Sequence, residues 1–132
     1  MIASSRRLLA LILVTTIGGG GAASAIGAAP IVVNTWPFTA ATARAWKALE
    51  AKEDAVTAVQ LGVSTCERLQ CDGTVGYGGS ADEIGQTTLD AMIIDGNTLA
   101  MGSAVGLHTT SDAIAAARLV MDFTNHTIIA GR

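Results

Sequence analysis

Residues 71–96 limit what this chain can become more than any other stretch. A glycine-dense loop, 73–85, runs directly into an apolar segment, 88–94, that closes on Asp95-Gly96-Asn97. The loop has no helical or strand periodicity, and its glycines allow positive φ without steric penalty. The apolar segment and a second one at 99–105 flank a hairpin-type connector, which predicts two antiparallel strands. Upstream, Ile31-Val32-Val33-Asn34-Thr35-Trp36 is a β-branched run stopped by Pro37, a strand with an exposed end. Thr39 is placed to cap a helix reaching about Lys52, with Ala45, Trp46 and Leu49 on its apolar stripe. Asp54 is placed to cap a second helix, with Val56, Val59 and Val63 on one face and Cys66 near its end. Ser111 or Asp112 caps a third, lined by Ile114, Ala117 and Met121 and broadened by Leu119 and Val120. Residues 127–130 begin one more strand. This order gives a mixed α/β chain, and without sequential βαβ alternation it does not fit a doubly wound sheet.

The 132 residues allow at most one domain, and the first 25 are best set apart from it. Arg6 and Arg7, the apolar run 8–17 and Ala23-Ser24-Ala25 have the layout of a cleaved secretory leader over 1–25, with a bacterial twin-arginine signal as the variant form. That run is too short to span a bilayer, so no membrane partner is expected. The portion 26–132, roughly 107 residues, can build only a small core. A net charge of −3, with eight Lys and Arg that form no patch, argues against a nucleic-acid partner. Cys66 and Cys71, in a chain with an export leader, are expected to form a local disulfide closing a very small loop. His108 and His126 have no ligand partners nearby in sequence, so no metal is expected. The glycine run 18–21 lacks the strand, Lys and Ser/Thr of a phosphate loop, and no cofactor is expected.

Acidic residues offer little catalytic promise. Asp82 and Glu83 fit a solvated loop, and Asp95 fits its turn. Asp90, inside an apolar strand, needs a partner if buried, and a hydrogen bond to the glycine loop is expected. Asn125-His126-Thr127 is an N-glycosylation sequon whose place at a strand start argues against occupancy.

Several blocks resemble, in the right order, the amino-terminal half of the lysosomal glycosylasparaginases (aspartylglucosaminidases), which are N-terminal-nucleophile hydrolases. They are residues 30–38, ending Asn34-Thr35-Trp36-Pro37-Phe38; 45–49 and 54–56; Cys66-Glu67-Arg68 through Cys71-Asp72-Gly73; 75–96; 113–118; and His126-Thr127. Gly76-Tyr77-Gly78-Gly79-Ser80-Ala81-Asp82-Glu83 followed by Thr88-Leu89-Asp90-Ala91 is the most specific, since plant-type asparaginases and isoaspartyl peptidases share the strand but have another glycine loop. The chain departs from the family at 50–53, where a glycine-containing turn is usual, and at His108-Thr109-Thr110, where basic and apolar residues are usual.

The resemblance implies part of a four-layer αββα sandwich, incomplete in this chain, from a precursor that cuts itself. It implies an enzyme that hydrolyses the amide between asparagine and N-acetylglucosamine, using a threonine freed at the start of its second subunit. A free α-amine with a pKa of about 8 can serve that hydroxyl as base near neutral pH. The family's nucleophile lies in a His-Asp-Thr-Ile-Gly segment, and no Asp-Thr pair occurs in this chain. Residues 26–132 therefore match the α-subunit portion, expected to be inactive by itself, with no catalytic residue of its own. Thr127, in His126-Thr127-Ile128, lacks the preceding Asp and is not expected to be the nucleophile. Trp36 is the one pocket residue the resemblance carries over, as a substrate-binding side chain. The implied partners are a carboxyl-terminal β-subunit, in a heterotetramer of two α and two β, and a glycoasparagine substrate. The implied location is the lysosome, or the periplasm in a bacterium. Two alternatives stay open: a non-catalytic secreted module that keeps the fold, and a relative with plain L-asparaginase activity.

Overall fold

The computed structural model describes residues 2–4, 29–74 and 76–131, so most of the expected leader, 1–25, lies outside the described residues. The elements are β1 (Ile2–Ser4), β2 (Ile31–Val33), α1 (Thr39–Glu50), α2 (Ala55–Leu69), β3 (Leu89–Ile94), β4 (Met101–Leu107), α3 (Ala113–Phe123) and β5 (Ile128–Ala130). Antiparallel β1 and β2 form one small sheet, with Ala3 opposite Val32. The second sheet has the order β3-β4-β5, antiparallel between β3 and β4 and parallel between β4 and β5. The hairpin agrees with the Asp-Gly-Asn signal. The β4–α3–β5 unit is a parallel crossover, so the chain does contain one βαβ step despite the absence of repeated alternation.

Two clusters of buried side chains share α2 as a common wall. In the first, Ala45 and Ala48 of α1 meet Ala58 of α2, flanked by Val32, Leu49 and Leu61. Small side chains at i and i+3 let the helix backbones approach closely, so alanine rather than leucine fills this interface. Trp46, expected on the apolar stripe, is 40% exposed and donates from Nε1 to Glu50 Oε1 at 2.8 Å. Its ring is too large for the alanine seam and has a polar partner one turn ahead.

The second cluster joins Ile93 of β3 to Ile114 and Ala117 of α3, with Val56, Val59, Val63, Ala91 and Met121 packed around them. Here the expected faces of α2 and α3 agree with the structure, except that Leu119 is exposed. Strand β3 buries Leu89 and Ile93 while Met92 and Ile94 stay more than half exposed, so one sheet face is covered by helix and the other is open. Gly102 of β4 sits directly under α3. A Cβ there would lie 2.7 Å from Met121 Cβ and closer still to the Ala117 carbonyl oxygen and the Met121 amide nitrogen.

Of the three expected helix caps, that of α1 departs from expectation. Thr39 is the first residue of α1 rather than its cap, and Phe38 precedes it with no side-chain capping bond. Asp54 does cap α2, accepting from Thr57 N at 2.8 Å, and Asp112 caps α3, accepting from Ala115 N at 3.2 Å. The 50–53 connection closes as a Schellman turn: Lys52 N donates to Leu49 O and Glu53 N to Ala48 O, both at 3.0 Å. Lys52 occupies the left-handed position, φ 68°, that glycine usually fills. Lys52→Gly is therefore expected to stabilise the protein by roughly 0.5–1 kcal/mol, read as a rise in the urea midpoint at unchanged slope.

The same turn ends α2, with Gln70 at φ 49°, Gln70 N on Glu67 O and Cys71 N on Cys66 O. Cys66 and Cys71 are thus the two positions that commonly make the apolar contact of such a motif, and here a disulfide joins them across a Cα–Cα distance of 5.2 Å. The expected pair is the pair that forms.

Candidate functional site

Beyond β2 the chain turns sharply into α1, and this turn presents the aromatic residues. Asn34 Oδ1 accepts from Trp36 N at 3.2 Å, Phe38 N donates to Trp36 O at 2.8 Å and Thr39 N to Pro37 O at 3.0 Å. Pro37, with its fixed φ, sits between two aromatic residues that project to the same side. The Trp36 and Phe38 rings stack with centroids 6.5 Å apart and planes 22° from parallel. Trp36 is 64% exposed. Together with Ile31, Val32, Asn34 and Trp46 the two rings line an open groove of about 660 Å³.

Such a groove is nearly all hydrocarbon and indole. It can press on the flat or apolar side of a ligand and exclude water, but among the described residues it holds no ionisable side chain that could move a proton. Trp36 stands exposed on the lining of this groove. Phe38 and Trp46 were not legible as companions: the Trp-Pro-Phe spacing is the signal for Phe38, whereas Trp46 fits a helix core by pattern.

The glycine loop is held by its own Asp residues. Asp72 Oδ1 accepts from Thr74 N at 3.0 Å and from the Thr74 hydroxyl, and Asp82 Oδ1 accepts from Ile84 N at 3.0 Å and Gln86 N at 2.8 Å. Gly76 and Gly78 adopt φ of 71° and 78°, and Gly78 lies so close to the Gln70 amide that a Cβ would collide with it. This contact docks the loop onto the end of α2. Between them Gln70, Tyr77, Thr87, His108 and Thr110 line a polar hollow of about 530 Å³. His126 lies elsewhere, exposed ahead of β5, and among the described residues no three His, Cys, Asp or Glu side chains gather to hold a metal ion.

Asp90 takes a partner other than the expected one. It is exposed, and its Oδ1 accepts at 2.7 Å from the amide of Gly106 rather than from the glycine loop. The β3–β4 register shifts between Leu89 and Ala91, and Gly106, at φ 67°, is the extra residue of that bulge. The carboxylate satisfies an amide that the ladder leaves free, which is a structural task. Asp95 likewise serves its turn. Bonds from Asn97 N and the Thr98 hydroxyl hold its carboxyl below the usual range.

One acidic pair escaped the sequence. Glu67 of α2 and Asp112, the cap of α3, meet at the junction of the two helices. Glu67 Oε1 accepts from Ala113 N at 3.1 Å, and Asp112 Oδ1 accepts from the buried Ser64 hydroxyl at 2.7 Å. Glu67 Oε2 is buried and has no hydrogen-bond partner among the described residues. Burial, and then the Asp112 carboxyl beside it, push Glu67 up to about 7. No local pattern marks residues so far apart as neighbours.

The family model described as Asparaginase matches residues 9–132. The N(4)-(beta-N-acetylglucosaminyl)-L-asparaginase of Rattus norvegicus is 51% identical over 102 residues, which make up 77% of this chain and 30% of that protein. Its Mus musculus counterpart is 52% identical over the same length and shares. An Arabidopsis thaliana protein named "Probable isoaspartyl peptidase/L-asparaginase 3" is 49% identical over 102 residues, 77% of this chain and 28% of that protein. The chain belongs to the asparaginase family. It spans less than a third of the length of these relatives.

Proposed function

We propose that the protein is a glycosylasparaginase of which these residues form the α-subunit portion, hydrolysing the amide between an asparagine side chain and N-acetylglucosamine. The observation that carries this reading is the Trp36–Phe38 stack at the end of β2, an exposed aromatic wall with no catalytic group in its groove among the described residues. A wall of that kind supplies binding and leaves the chemistry to groups from elsewhere. In this reading they come from a threonine outside residues 1–132, with its own α-amine as base and an oxyanion hole for the tetrahedral intermediate. Thr127 is exposed at the start of β5, and its hydroxyl has no bond to a base among the described residues.

The remaining structure fits a larger assembly. Met92, Ile94, Ile128 and Ile129 leave apolar surface on β3 and β5, as strands do when a further layer is to cover them. We take that layer to be the rest of a four-layer αββα sandwich, with two such units pairing as a heterotetramer. The leader over 1–25 would direct the protein into the secretory pathway and on to a lysosome. Its removal would take β1 with it and bare an edge of β2 next to Trp36.

The Arabidopsis relative favours a second reading, action on free asparagine or isoaspartyl peptides, because its identity is nearly that of the rat and mouse enzymes. Purified full-length protein decides between them by its kcat/KM for an aspartyl-glucosamine amide, L-asparagine and an isoaspartyl dipeptide. Preference for the first by at least about a hundredfold, or roughly 2.7 kcal/mol, supports the proposal. Trp36→Ala is expected to lower kcat/KM for the preferred substrate about tenfold or more without unfolding, since the ring is mostly solvent-exposed. Unchanged kinetics in that variant would remove Trp36 from the site.

A further inference from the structure

The sequon Asn125-His126-Thr127 is not inside a strand: β5 starts at Ile128, and Asn125 lies in an exposed bend between α3 and β5. The bend is tied by its neighbour. The Thr124 hydroxyl donates to Val120 O at 2.8 Å and accepts from His126 N at 3.1 Å, so the last turn of α3 and the backbone just beyond Asn125 are joined through one oxygen. Thr124 itself is extended, with φ −132° and ψ 162°, and the chain leaves the helix there. The side chains of Asn125 and Thr127 make no hydrogen bond among the described residues, and every described residue from 122 to 131 is exposed. Among the described residues, a bulky substituent on Asn125 Nδ2 displaces no packing and breaks no bond.

We infer that Asn125 is a site of N-linked glycosylation in this protein. The inference rests on the proposed export through the secretory pathway. The middle residue, His126, is not proline, and the hydroxyl at the third position is free for recognition by the transferase. In the transfer, Asn125 Nδ2 forms a bond to C1 of an oligosaccharide carried on a polyprenyl diphosphate. The bond from C1 to the diphosphate oxygen breaks, and the polyprenyl diphosphate leaves with its electron pair. The amide proton passes to a base of the transferase. No residue of this chain acts as catalyst. The helix-end bend only keeps the acceptor outside the packing of the described residues.

The test is translation of the full-length message with endoplasmic reticulum microsomes, read by protease protection and by gel mobility before and after peptide N-glycosidase. Protected wild-type protein is expected to carry one more glycan step than Asn125→Gln or Thr127→Ala, whereas Thr127→Ser keeps the step. Protected protein whose mobility is the same in wild type and both variants overturns the site and leaves the export reading standing. Protein that stays unprotected overturns the export reading, and the site with it.

Discussion

Gly102→Ala is expected to destabilise the protein by about 3 kcal/mol, at the upper end of ordinary overpacking. The added methyl would enter the contact between β4 and α3, where the nearest atoms are the Ala117 carbonyl oxygen and the Met121 amide nitrogen. Backbone cannot rotate away as a side-chain tip can. Either α3 lifts from the sheet or β4 bows, and both loosen Ile93, Ile114 and Ala117 together. Urea denaturation of wild type and variant reads the effect directly. Gly96→Ala is the control, because a methyl at Gly96 meets nothing within 4 Å and should leave stability nearly unchanged. Equal midpoints for wild type and Gly102→Ala would show that helix and strand do not cross so closely.

The junction of Glu67 and Asp112 is expected to make stability depend on pH. The folded protein holds Glu67 protonated up to about 7, against an ordinary value of 4.5, so between these values it binds more protons than the unfolded chain. Stability from this group is complete below about 4.5 and is lost as pH rises through about 7, the reverse of an ordinary ion-paired carboxylate. Glu67→Gln keeps an acceptor for Ala113 N and carries no charge to repel Asp112, so it imitates the protonated acid. The variant should match wild type near pH 4.5, exceed it at pH 8 and flatten the profile between. Thermal melts at half-unit pH steps measure this. A wild-type profile that is already flat, or a variant less stable than wild type at pH 8, would remove Glu67 as the cause.

What could be seen in the sequence was local. The β3–β4 hairpin follows from Asp95-Gly96-Asn97 between apolar runs, and the Asp54 and Asp112 caps follow from short polar side chains just ahead of periodic segments. The Cys66–Cys71 pair follows from the expected leader and from proximity, although its position across a Schellman turn does not. Trp46 could not be placed, because its spacing suits a core and only the narrow alanine seam of α1 and α2 turns it outward. Asp90 could not be assigned to Gly106 because the bulge that frees this amide is a feature of strand pairing, not of either strand alone. Of the stacked aromatic pair, Trp36 is singled out by family resemblance alone, and its stacking on Phe38 follows only from the turn at Pro37. The meeting of Glu67 with Asp112 needs the tertiary fold.

The Cys66–Cys71 link also has a bearing on survival among proteases. A protease needs several consecutive residues drawn out into an extended form, and a helix end bordering a long glycine loop is a natural place for that to begin. Here the first residue after the left-handed Gln70 is fastened back to the last full turn of α2, while Gly78 rests against Gln70 itself. Peeling of the loop is therefore expected to meet a covalent stop at Cys71 before it reaches the helix that both buried clusters share. A small covalent ring thus sits between the loop and the wall that the two halves of the core share.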